Sequence, residues 1–96
     1  MSDLLTCCQS LIQLNSAFPQ ATETRVADYV ADYCRSVGIE PNSFEFISGR
    51  PNLIATIPGE STSSICLSAH MDTVPFVEND WSVDPLGGTI VDGRLY

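Results

Sequence analysis

The sequence contains no lysine and a single histidine, and its four arginines face twelve acidic residues. The formal net charge of −8 repels phosphate backbones and anionic headgroups, which argues against nucleic-acid binding and against a membrane surface. The four cysteines (Cys7, Cys8, Cys34 and Cys66) form no C-x-x-C pair and no disulfide-type framework. Cys8, Cys34 and Cys66 fall on apolar faces, where a free thiol acts as a small hydrophobe. No apolar run approaches membrane-spanning length, and the opening MSDLLTCCQS lacks the basic start and apolar core of a signal peptide. A cytoplasmic location is expected. A second histidine, a Glu-Glu pair and a G-x-S-x-G elbow are also missing. These absences leave no complete zinc triad, no obvious carboxylate base and no serine-hydrolase nucleophile.

What is present is an ordinary globular composition, 44% apolar over 96 residues, enough for one domain or a piece of one. Leu4, Leu5, Cys8, Leu11 and Ile12 recur at helical spacing and predict a helix over residues 3–14. A second stripe, Val26, Tyr29, Val30, Tyr33, Cys34 and Val37, predicts a longer helix. Thr22 is a candidate N-cap, and Gly38-Ile39 resembles a glycine C-cap with its apolar contact. The period then switches. Phe44 and Phe46 alternate with polar neighbours as in a half-exposed strand, residues 48–51 form a turn, and Leu53, Ile54, Ala55 and Ile57 make the next strand. Asp92-Gly93 between two short β-prone runs predicts a hairpin. Residues 75–88 carry no sustained period and read as a long functional loop, with Trp81 filling core or anchoring the loop. Helices followed by strands imply an α/β fold, with helices packed on a mixed sheet.

The chemistry concentrates in residues 65–74, ICLSAHMDTV. Ile65, Cys66, Leu67 and Ala69 make a nearly continuous apolar run, as in a strand buried on both faces. His70 and Asp72 follow where that strand should end. Residues i and i+2 of extended backbone point to one side, so imidazole and carboxylate would project together from the carboxyl end of the strand. A neutral imidazole suits zinc, and an adjacent carboxylate orients the ring or handles a proton. A lone histidine at a strand end is more often a hydrogen-bonded structural residue than a ligand, and two side chains do not complete a catalytic zinc site.

The strings LSAHMDTVPF and WSVDPLGGTIVDGRLY, with the separation between them, resemble the zinc-dependent exopeptidase and deacylase family. That family includes acetylornithine deacetylase, succinyl-diaminopimelate desuccinylase, aminoacylase, carnosinase and the glutamate-releasing carboxypeptidases. The resemblance extends back through PNLIATIPG and the two helices, covering residues 4–96. It implies that His70 is a ligand of one of two zinc ions, with cobalt or manganese as alternatives, and that Asp72 is a catalytic acidic residue tuning that centre. It further implies a three-layer αβα catalytic domain, a homodimeric parent, and hydrolysis of an N-acyl amino acid or small peptide by a water activated between two zinc ions.

The family continues past Leu-Tyr into segments that bring the bridging aspartate, the Glu-Glu pair and the remaining ligands. Residues 1–96 are therefore expected to be the incomplete N-terminal part of that domain, inactive alone. The alternative expectation is a non-catalytic product that associates with another chain, because a sheet cut short leaves an edge open to pairing.

Overall fold

A computed structural model describes residues 2–96. The described chain opens with helices α1 (Ser2–Gln13) and α2 (Thr24–Ser36). A hairpin of β1 (Asn42–Ile47) and β2 (Arg50–Ile54) follows, then a short 3-10 turn (Glu78–Asp80), then a second hairpin of β3 (Ile90–Val91) and β4 (Arg94–Leu95). Both hairpins are antiparallel two-stranded sheets. A single parallel bridge joins Ala17 to Thr73. Helices first and small sheets after agree with the expected α/β class.

Local chemistry accounts for the element ends. At the end of α2 the Gly38 amide donates to the Arg35 carbonyl at 3.0 Å and the Ile39 amide to the Cys34 carbonyl at 2.9 Å. Those two bonds define a Schellman cap, and Gly38 takes the left-handed φ of +81° that it requires. The predicted glycine cap is therefore present. At the other end Glu23, not Thr22, is the N-cap residue, and its side chain makes no capping bond. In the second hairpin Asp92 and Gly93 both have positive φ, 49° and 76°. This is the type I′ turn whose twist matches the flanking strands. In the first hairpin the register slips between Glu45 and Ile47. Phe44 and Phe46 still share one face, their rings edge-to-face with centroids 5.3 Å apart.

The core lies where α2 rests on β2 and on the loop after α1. Ala17, Val26, Ala27 and Ala31 are buried there, with Ser16 and Glu23 as buried polar neighbours. Only the first half of the α2 stripe is covered; Tyr33 and Val37, toward its end, are exposed. The turn before β3 docks on α1: the Gln9 side-chain amide donates to the Gly88 carbonyl at 2.8 Å and that of Gln13 to the Gly87 carbonyl at 3.1 Å.

Two further expectations differ from the structure. Residues 61–70 belong to no β-ladder and are exposed throughout, with Ile65 and Leu67 at 91% and 93%. A strand buried on both faces needs a partner along each edge and a layer over each face, and the described residues supply neither. Trp81 is 45% exposed rather than core filling; it follows the 3-10 turn on a loop, its amide bonded to the Glu78 carbonyl at 3.0 Å. No helix among the described residues is long and apolar enough to cross a membrane.

Candidate metal centre

The segment 71–73 is held by one residue of the loop after α1. The hydroxyl of buried Ser16 donates to the Met71 carbonyl at 2.7 Å, and the Thr73 amide donates to the Ser16 carbonyl at 3.1 Å. Asp72 lies between these two anchors. Its main chain is fixed on both sides before its side chain makes any contact.

His70 and Asp72 are brought together, as their spacing predicts. The His70 Nδ1 lies 2.8 Å from the Asp72 carbonyl oxygen and 3.2 Å from Asp72 Oδ1. A carbonyl oxygen only accepts, so Nδ1 carries the proton and donates. With Nδ1 engaged in this way, Nε2 is the nitrogen left to other partners, and the side chain is 84% exposed. An imidazole whose one nitrogen is bonded to the protein and whose other is free is the form in which histidine binds metal. The donor set thus fits one nitrogen ligand with an orienting carboxylate. Among the described residues no cluster of three or more His, Cys, Asp or Glu side chains could hold a metal ion.

Behind Asp72 lies Arg50, at the start of β2. Its guanidinium is hydrogen-bonded through Nε to Glu23 Oε1 and Oε2 at 3.0 and 3.2 Å, and through Nη2 to Glu23 Oε1. The same Nη2 reaches Asp72 Oδ2 at 3.4 Å. The Arg50 guanidinium carbon also sits 3.8 Å from the centroid of the Phe18 ring, a cation–π stack. The hydrogen bonds from Arg50 hold the Glu23 carboxyl below its ordinary value, against the opposing effect of its burial. Glu23 in turn raises Arg50 further. An open groove runs between the helices and the 67–73 segment; Leu11, Ile12, Val26 and Val30 line it together with Arg50 and His70.

Glu23, Arg50 and Ser16 were not legible as site residues. Glu23 and Ser16 sit beside helix ends, where polar residues are ordinary, and Arg50 falls in residues 48–51, which read as a turn. The available signal was scarcity: with four basic residues against twelve acids, an arginine flanked by two strands is a ready partner for a buried carboxylate.

The α/β frame presents a histidine and an aspartate side by side, and the chain is similar to curated deacylases over the same residues. The chain is 38% identical over 72 residues to the acetylornithine deacetylase of Vibrio parahaemolyticus, an alignment covering 75% of this chain and 19% of that protein. It is 31% identical over 98 aligned positions to the acetylornithine deacetylase of Pasteurella multocida, covering 100% of this chain and 25% of that protein. It is 28% identical to the N-formyl-4-amino-5-aminomethyl-2-methylpyrimidine deformylase of Halalkalibacterium halodurans, over 97% of this chain and 23% of that protein. No family model matches the chain, and no solved structure does. The chain belongs to the deacylase family that includes acetylornithine deacetylase, and it spans about a fifth to a quarter of the length of these relatives.

Proposed function

We propose that the protein is a zinc-dependent amidohydrolase that cleaves an N-acyl amino acid or a small peptide, with His70 as a ligand of one of two zinc ions. The observation that carries this reading is the way His70 is held. Its Nδ1–H is committed to Asp72 and its Nε2 is open to solvent. An imidazole bonded to the protein through one nitrogen and open at the other is suited to take a metal ion. The similarity to acetylornithine deacetylases over the same residues supports amide hydrolysis as the chemistry.

Zinc bound there, or cobalt or manganese in its place, supplies Lewis acidity toward an amide carbonyl and an acidified water. The residues of this chain prepare that position. Ser16 fixes the backbone on both sides of Asp72, and the Asp72 carboxylate and carbonyl fix the ring plane and tautomer of His70. A negative charge against Nδ1–H also raises the basicity of Nε2 toward a cation. Asp72 is thereby the acidic residue that tunes the centre.

The test is a His70→Ala substitution in the full-length protein, with metal content measured by elemental analysis and hydrolysis followed on N-acetylated amino acids. Zinc content should fall by about half or more and turnover should be abolished. Full metal loading with retained turnover sinks the proposal.

A second reading, association with another chain through strand pairing, is favoured by one observation: residues 61–70 are exposed and outside any ladder. An unpaired extended segment carrying Ile65 and Leu67 is a template for an added strand. Monomeric behaviour at all concentrations removes this reading.

A further inference from the structure

We infer that Arg50, held by Glu23, is a positioning residue for His70 and acts through Asp72. The catalytic consequence rests on the hydrolase reading above; the positioning itself does not. The two oxygens of Asp72 are divided between two partners. Oδ2 faces Arg50 Nη2 at 3.4 Å and Oδ1 faces His70 Nδ1 at 3.2 Å. A carboxylate gripped at one oxygen loses rotation about its terminal bond, so the second oxygen is presented to the imidazole in one direction.

Arg50 can act as such a grip because it is itself immobile. Glu23 takes it in a fork with hydrogen bonds from Nε and Nη2. The Phe18 ring covers one face of its guanidinium. The Glu23 side chain is only 8% exposed and provides no helix cap, so a carboxylate is buried at the start of α2 with Arg50 as its one charged partner among the described residues. The bland account is a structural ion pair tying α2 to β2. It explains Glu23 and Arg50, but not why the same Nη2 turns toward Asp72. Lysine would not substitute, since a point charge cannot hold Glu23 in a fork and reach a second carboxylate from fixed directions.

The experiment uses the single histidine of the chain, whose ring nitrogens give one unambiguous set of signals. The tautomer ratio of His70 is read from long-range proton–nitrogen NMR correlations on metal-free protein at about pH 8, where an ordinary imidazole is neutral. Folding is checked by signal dispersion in α1 and α2. Arg50→Gln should lower the ratio of the Nδ1–H to the Nε2–H form by about fivefold, the scale of one net hydrogen bond. Glu23→Gln, which loosens the arginine without removing it, should shift the ratio the same way by less. An unchanged ratio in a folded Arg50→Gln variant overturns the inference and leaves a structural ion pair. If Arg50→Gln does not fold, Glu23→Gln decides by the same readout, and no shift there overturns it.

In the full-length enzyme kcat of Arg50→Gln should fall about tenfold with KM within about twofold, as for other supports of a metal-binding imidazole. The hydrolase proposal fails separately, on His70→Ala. A tautomer shift with no metal-dependent hydrolysis in the wild-type protein keeps the positioning role and removes the enzyme.

Discussion

At the scale of single residues, the site is a chain of charges in which each side chain fixes the next, and the consequences differ along it. Asp72 touches His70 at Nδ1 and leaves Nε2, the nitrogen proposed to bind metal, unoccupied. Asp72→Asn should therefore reduce turnover by about ten- to a hundredfold while metal content falls less, the usual range for a partner of a metal-ligating imidazole. Parallel titration of zinc and of hydrolysis on the full-length variant checks this, and equal losses would mean that Asp72 acts only by holding metal. Glu23 makes a prediction about pH. Its carboxyl is held below its ordinary value of 4.5 mainly by the hydrogen bonds from Arg50. A group with a depressed folded-state pKa contributes stability that is fully present above the unfolded value and is lost as pH falls through the folded value. The wild-type chain should accordingly lose stability as pH falls through and below the ordinary carboxylate range. Glu23→Gln should be less stable at neutral pH by about 1–3 kcal/mol, the cost of a buried group left with a weakened partner, and should show a shallower acid loss. Urea midpoints at neutral and acid pH read both effects.

At the scale of elements, the turns and the C-cap of α2 were legible, while its N-cap and the tertiary contacts were not. Asp92-Gly93 announced its hairpin because only residues tolerant of positive φ complete a type I′ turn. Gly38-Ile39 announced the end of α2 for a similar reason. Both are local signals of two to four residues. His70 and Asp72 belong to the same class, since a spacing of two in extended backbone is enough to put them together. Ser16, Glu23 and Arg50 depend on contacts 22 to 55 residues away, and nothing in their own neighbourhoods marks them. Gly88 is the sharpest case. It reads as one of two adjacent loop glycines, yet it is buried against α1, and a Cβ there would meet the Gln9 main chain at 3.2 Å. Its φ is also +62°. Gly88→Ala should thus cost about 2 kcal/mol or more, combining an unfavourable backbone conformation with a forced separation from α1. Gly59→Ala, in open space without positive φ, should be within about 0.5 kcal/mol of wild type. Thermal unfolding of the two variants side by side decides the matter, and equal midpoints would mean that the Gly87-Gly88 turn does not dock on α1.

At the scale of the whole molecule, the apolar periodicity described what the residues are suited to, and the structure describes what covers them. The stretch around Ile65 and Leu67 has the composition of a fully buried strand, and it lies open on every side. Two large aliphatic side chains left in water forgo about 1.5–3 kcal/mol each relative to burial, and the backbone beside them offers unpaired donors and acceptors to any extended segment. Other exposed apolar groups, among them Ile57 and Val74, flank the same segment and add to the drive for association. The 96-residue polypeptide should therefore self-associate in a concentration-dependent way, although its net charge of −8 opposes close approach at low salt. Raising the salt screens that repulsion and strengthens the apolar drive, so the associated fraction should increase with ionic strength. Sedimentation of the 96-residue polypeptide at several concentrations and salt levels measures this directly. Leu67→Glu places a charge in the middle of the segment while leaving Ser16, Asp72 and the α2–β2 core untouched. It should shift the chain toward monomer without changing its helix content by circular dichroism. Association that is indifferent to Leu67→Glu would place the sticky surface elsewhere, and a monomer at high concentration and high salt would mean that this segment folds back onto its own chain in solution.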